Sequence, residues 1–213
     1  MTATSRTRAP RSDAAHNREA LLDAARLLLN RDPAAPLDAI AHAAGLSRRS
    51  VYSHFASRDE LIVALTERGA ARIAAALDRV ADPDPVVETA LLGRVAWDEV
   101  EHTHAMTQVA LHEPFRSRIR PSLDAMHQRL ERTVARAATA GSARTDLPSD
   151  FVARLIAAAA FTVLEEAART PLDSRTGRRL VILAGLGAMG LSWREAGAVL
   201  QANAAVLGLE AAE

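Results

Sequence analysis

The stretch AGLSRRSVYSHF, residues 44 to 55, gathers two adjacent arginines, three serines, a histidine and the only tyrosine of the chain. Arg48 can offer a planar two-pronged fork to guanine, and Ser53 can donate or accept a hydrogen bond at a base edge. Tyr52 and His54 can donate to phosphate oxygens, which fixes a protein on a duplex without reading its sequence. These residue types at this spacing suit contact with a nucleic acid. They suit a solvated helix face equally well, because charged side chains usually lie in water. Arginine also carries less meaning here than elsewhere: all 26 basic residues are Arg and none is Lys.

A second concentration lies in AWDEVEHTHAMTQVALHEPF, residues 96 to 115, with Met126 and His127 beyond it. Apolar groups with a few polar ones among them are what a small-molecule pocket requires, so Trp97, His102, Met106, Phe115 and Met126 are expected to line one. Each of them taken singly also suits ordinary core or surface. A metal site is not expected. Asp98 and His102 stand four apart and Glu101 and His104 three apart, but His102 and His104, two apart, point to different faces of a helix. Nothing resembles a phosphate-binding loop, a dinucleotide fingerprint, a nucleophile elbow or a metalloprotease helix. No catalytic residue, cofactor or enzymatic activity is therefore expected.

The elements that must position these residues read as helices throughout. Apolar residues make up 49% and aromatics 3% of the 213 residues, an alanine- and leucine-rich balance that favours helix over sheet. Residues 1–12 carry Arg6, Arg8 and Arg11 with no acid and little to pack, and are expected to form a flexible basic arm. From Asp13 to Asn30, Ala20, Leu21, Ala24, Ala25, Leu28 and Leu29 recur at helical spacing. Pro33 and Pro36 break that helix. Two short helices, Leu37 to Ala44 and Ser47 to Phe55, follow with Gly45 between them and Ser47 as a cap. Ser57 and Glu60 form a capping box before a helix reaching about Val80. Further helices are expected at about 84–104, 105–113, 118–140, 149–169, 175–189 and 192–207, the last opened by Ser192 and Glu195. The fold class is thus all-α with nine to ten helices: a helix-turn-helix domain at residues 13–60 and a helical domain at 61–213.

LDAIAHAAGLSRRSVYSHF has the layout of two short helices crossing at a tight glycine turn. Ile40, Ala44, Leu46, Val51 and Phe55 would face a shared core, while Arg48, Arg49, Tyr52 and Ser53 stay exposed. Residues 13 to 65 resemble the N-terminal domain of the tetracycline-repressor (TetR) family of bacterial transcriptional regulators, through IAHAAGLS, VYSHF and SRDELI. Leu46 stands where the family has Val, and Arg58 where it has Lys. The resemblance implies base contacts from Arg48 and Ser53 and phosphate contacts from Tyr52, His54 and Arg58, with Ser50 near phosphate and Ser47 starting the helix. Arg49 occupies a place where a small residue is frequent, and Pro36 replaces the usual Thr or Ser cap.

The resemblance also implies a regulatory domain that dimerises through its last two long helices and encloses a small-molecule effector. The helices FVARLIAAAAFTVL and RLVILAGLGAMGL are apolar almost all round and so should be largely buried, in a monomer core or in a dimer interface. Phe151, Leu155, Ala159, Leu183 and Leu186 are the expected interface positions. The expected partners are double-stranded operator DNA, a second copy of the chain and a small-molecule effector, with no membrane. The longest uncharged stretch, Leu180 to Trp193, is too short to span a bilayer. Absence of Cys and of a secretory signal points to the cytoplasm. The competing reading is a helical small-molecule-binding or interaction protein whose helix-turn-helix no longer binds DNA. Net charge is zero, with a balance of only +2 over residues 1–60, so whole-chain charge favours neither.

Overall fold

A computed structural model describes residues 10–101, 109–110, 115–170 and 172–210. Among these residues nine helices have defined bounds and no strand occurs: α1 Pro10–Arg31, α2 Leu37–Ala43, α3 Arg48–His54, α4 Arg58–Asp78, α5 Pro85–Val100, α6 Phe115–Thr139, α7 Ser149–Arg169, α8 Ser174–Met189 and α9 Trp193–Ala202. The all-helical class is as the sequence indicates. Helix α1 starts at Pro10, inside the expected arm, because proline at a first helical position gives up a donor that has no partner there anyway. Helix α9 stops at Ala202, not 207, and the chain continues in turns through Gly208. The expected helix at 105–113 falls mostly outside the described residues.

The chain divides into two compact units, Met1–Thr66 and Glu67–Glu213, and the division falls inside α4. In the first, Leu21, Leu22, Ala25 and Leu29 of α1 are buried, as are Ile40, Ala41, Val51, Phe55 and Leu61. These are the apolar positions whose spacing announces the helices. The Pro33–Pro36 break is held by Asp32, whose carboxylate accepts from the Ala34 amide at 3.0 Å.

In the second unit α8 packs against α5 and α7, and α6 packs against α7. Val86, Val134, Val152, Ile156, Ile182, Leu186 and Met189 form its main core, and Trp97, Val100, Leu164, Ala167 and Val181 a smaller cluster. Side chains cap the helix starts: Asp84 for α5, Asp173 for α8, and a full Ser192–Glu195 capping box for α9. Gly190, at φ 111°, ends α8 in the left-handed conformation that favours glycine.

One polar residue lies deep in this unit. Glu88 of α5 is 1% exposed, and the guanidinium groups of Arg129 and Arg136 on α6 each approach its carboxylate to 2.6 Å. Thr133 donates to it at 2.7 Å, and the Asp82 amide donates from the α4–α5 connection. Arg129 also donates to the Val80 carbonyl, and Arg136 to the carbonyls of Asp82 and Pro83. The network therefore fastens that connection to α6. Burial pushes the Glu88 carboxyl upward, but the bonds from Thr133, Arg136, Arg129 and the Asp82 amide prevail and lower it from 4.5 to about 2.

Candidate nucleic-acid interface

Helices α2 and α3 meet through a hydrogen-bonded turn. The amides of Ala44, Gly45 and Leu46 donate to the carbonyls of Ile40, His42 and Ala41 at 3.0, 3.0 and 2.9 Å. Gly45 takes φ +70°, a left-handed conformation that side-chain-bearing residues adopt only at a cost. Ala41, buried at the crossing, keeps the helices close. Ser47 then caps α3 by accepting from the Ser50 amide at 3.1 Å. The Pro36 cap of α2 makes no side-chain bond, and Asp38 in the first turn is the acid nearest that helix start.

Val51 and Phe55, at 0% and 1% exposure, anchor α3 from below. Ala44 and Leu46 are only partly buried. Arg48, Arg49, Tyr52 and Ser53 lie together on the solvent side, with Ser50 and His54 partly covered beside them. The Arg48 guanidinium lies 5.6 Å from the centre of the Tyr52 ring, and its Nε is 3.4 Å from the Asp38 carboxylate. Ser53 donates its hydroxyl hydrogen to the Ser50 carbonyl at 2.7 Å, which leaves its oxygen as an acceptor. The face thus offers two guanidinium groups, a phenol and hydroxyl oxygens on one short rigid helix.

Arg58 departs from the expectation of a free cation. Its Nε donates to the Ala35 carbonyl at 3.1 Å and its Nη2 to the Pro33 carbonyl, so the side chain ties the start of α4 to the α1–α2 connection. Nη1 and the second hydrogen of Nη2 stand outside those bonds for a phosphate. Asp38 and Arg18 belong to the same unit and were not singled out from the sequence. Arg18 stacks 5.1 Å from the Phe55 ring centre, and neither partner is marked by local spacing.

Of the expected pocket residues, Trp97 lies on α5, and Phe115 and Met126 lie on α6. Trp97 is 1% exposed, in core contact with Val181 and Leu164, and its indole nitrogen donates to Glu101 at 2.9 Å. Its ring is buried in the space that Gly177 of α8 leaves for it. A Cβ at Gly177 would stand 1.9 Å from the indole. Phe115 and Met126 are partly buried on α6, while His102 and Met106 lie outside the described residues. Asp98 receives Arg178 at 2.6 Å and Arg94 at 3.1 Å, so both its oxygens are engaged. Among the described residues no three of His, Cys, Asp and Glu are grouped to hold a metal ion.

Of the expected interface positions, Phe151 is 42% exposed, and Leu155, Ala159 and Leu183 are half-buried. Leu186 is fully buried in the main core of its own chain, so it has no surface to offer a second copy. A helix apolar on every side gives no sign of which face turns inward. Leu180, at 39% exposed, and Trp193, at 77%, are large apolar groups that the sequence reading passed over. Leu183, Gly187 and Trp193 line an open groove of about 840 Å³ between α8 and α9. A second cavity, about 540 Å³, borders Glu88, Arg129, Arg132 and Arg136, and neither cavity touches Trp97, Phe115 or Met126.

A helix pair crossing at a glycine turn, with a cationic and hydroxyl-bearing second helix and a separate helical unit after it, has the layout of a helix-turn-helix module. Residues 21–65 match the family described as "Bacterial regulatory proteins, tetR family". No curated protein matches the chain. Among solved structures it is similar to SmeT, the repressor of the Stenotrophomonas maltophilia multidrug efflux pump SmeDEF, at 24% identity over 83% of this chain and 91% of that one, with a TM-score of 0.65. SmeT is also known in complex with triclosan. The fatty acid degradation regulator FadR from Bacillus halodurans matches at 16% identity over 87% and 97%, with a TM-score of 0.66. A TetR transcription regulator from Haloarcula marismortui matches at 16% identity over 82% and 97%, with a TM-score of 0.69. At these identities the structures speak for the fold.

Proposed function

We propose that the chain is a homodimeric transcriptional repressor of the cytoplasm, without catalytic activity, that leaves its operator when a small molecule binds the helical unit. The observation that carries the reading is the α3 face: Arg48, Arg49, Tyr52 and Ser53 are exposed together while Val51 and Phe55 lock the helix from behind. In such a module the recognition helix enters the major groove, and two copies read half-sites about one helical turn apart or a multiple of it. Arg48 reads a base with its fork, the Ser53 oxygen accepts from a base edge, and Tyr52 with His54 holds the backbone. Ser50 and the remaining N–H groups of Arg58 lie with the phosphate contacts, and Arg49 adds a cation to the same surface.

Exposed Phe151 with partly exposed Leu155, Ala159 and Leu183 supports pairing of two copies through α7 and α8. Trp97, buried on α5, and Phe115 and Met126, partly buried on α6, are the effector-facing candidates among the described residues. SmeT, a repressor with a small-molecule complex, supports the effector reading by similarity of fold. Release then follows from linkage: an effector frees DNA only if it binds the DNA-incompetent state more tightly than the competent one.

A salt titration tests the reading. Affinity of the full chain for duplex DNA should fall steeply and linearly with log salt, as phosphate contacts require. Arg49→Ala should flatten that slope by about one unit. Absent or salt-independent binding would support the competing interaction protein instead.

A further inference from the structure

We propose that Asp38 is a specificity-determining residue of the DNA interface, holding Arg48 by its Nε so that the two terminal nitrogens face a single base edge. The inference rests on the DNA-binding reading above. Asp38 stands in the first turn of α2 and Arg48 opens α3, so the Gly45 turn is what brings them within 3.4 Å. The contact is made through Nε, which an end-on fork to guanine O6 and N7 does not use. Nη1 and Nη2 stay available for that fork. The Tyr52 ring flanks the same guanidinium at 5.6 Å, so a carboxylate and an aromatic ring together restrict a side chain that is itself 73% exposed.

Two effects on binding follow. A guanidinium already oriented loses less freedom on reaching its base, which favours the correct sequence. A carboxylate this close to the reader also repels phosphate and offsets the Arg48 charge, which weakens contact with any sequence. The two act in opposite directions on affinity for the correct sequence, and the first, which favours that sequence alone, sets the specificity. An acid in the first turn of α2 also stabilises that helix, all the more because Pro36 supplies no side-chain cap. That structural role moves the unfolding midpoint but leaves the ratio between two duplexes unchanged.

The test uses the full chain, a duplex selected by it from a random pool, and an unrelated duplex of equal length. Affinities are measured for the wild type, Asp38→Asn, Arg48→Ala and the double variant, all well below their unfolding temperatures. Asp38→Asn should tighten binding to the unrelated duplex and lower the specificity ratio about tenfold, part of the discrimination a forked contact supplies. In the Arg48→Ala background the same change should alter both duplexes by one common factor. An equal shift on both duplexes in the wild-type background would overturn the proposal, as would a change in ratio that persists without Arg48. If the wild type binds no duplex, the DNA-binding reading fails and takes this proposal with it. If the wild type selects a sequence that Asp38→Asn selects with the same ratio, this proposal alone fails.

Discussion

Replacing Glu88 with Gln keeps the shape of the side chain and removes the charge that two arginines surround. The carboxyl sits at about 2 in the folded chain against an ordinary 4.5, a difference corresponding to about 3 kcal/mol of stability at neutral pH. Loss of one partner from a buried ion pair leads to a similar figure, because Arg129, 15% exposed, would keep its charge without a carboxylate. Arg136 is 48% exposed and can turn to water, which holds the cost near the lower end of that range. The sign of the pH dependence follows from the lowered value: the stabilisation is complete above 4.5 and fades as pH falls toward 2. Urea unfolding followed by tryptophan fluorescence reports on the correct unit, since Trp97 and Trp193 both belong to it and only Trp97 is buried. Glu88→Gln should be about 3 kcal/mol less stable than the wild type at pH 7, with the gap nearly closed at pH 2. A gap below about 1 kcal/mol at pH 7, or one that does not change with pH, would refute the ledger built on this network.

Gly177→Ala should destabilise by about 2–3 kcal/mol, because its new methyl meets the buried Trp97 ring, whereas Gly69→Ala meets nothing and should stabilise α4 by up to about 1 kcal/mol; thermal unfolding separates the two. Ser47→Ala removes the α3 cap and should cost about 1 kcal/mol of stability, read by thermal unfolding, along with a proportionate loss of DNA affinity. Arg48→Ala should relax the base preference at one operator position by about 1–3 kcal/mol, while Tyr52→Phe should weaken every sequence alike, both measured by competition binding.

The elements near the helix-turn-helix are legible from sequence because their signals are local. Pro33 and Pro36, Gly45, Ser47 and the Ser57–Glu60 pair act within one turn of chain: the Ser57 oxygen accepts from the Glu60 amide at 3.1 Å, while the Glu60 carboxylate reaches one residue past the expected capping box, to the Ala56 amide at 2.6 Å. The Val51 and Phe55 anchors follow from helical spacing alone. What escapes is whatever depends on distant chain. Arg58 finds its carbonyls 23 and 25 residues earlier, and Trp97 is buried because a glycine 80 positions later makes room for it. Glu88 had a faint local signal, an acid within the apolar run PVVETALL, but its arginines lie more than forty residues away. The Asp38–Arg48 pair is invisible until the turn angle is known. Leu186 shows the remaining limit, since both α7 and α8 are apolar on nearly every side and only packing assigns their faces.

The central claim is that α3 reads DNA as one half of a symmetric pair. Selection of bound duplexes from a random pool by the full-length chain tests it most directly. The account predicts enrichment of an inverted repeat with half-sites about one helical turn apart or a multiple of it, and loss of one base preference in each half-site for Arg48→Ala. A pool that stays random after repeated rounds, or the same inverted repeat selected with Arg48 absent, would contradict it.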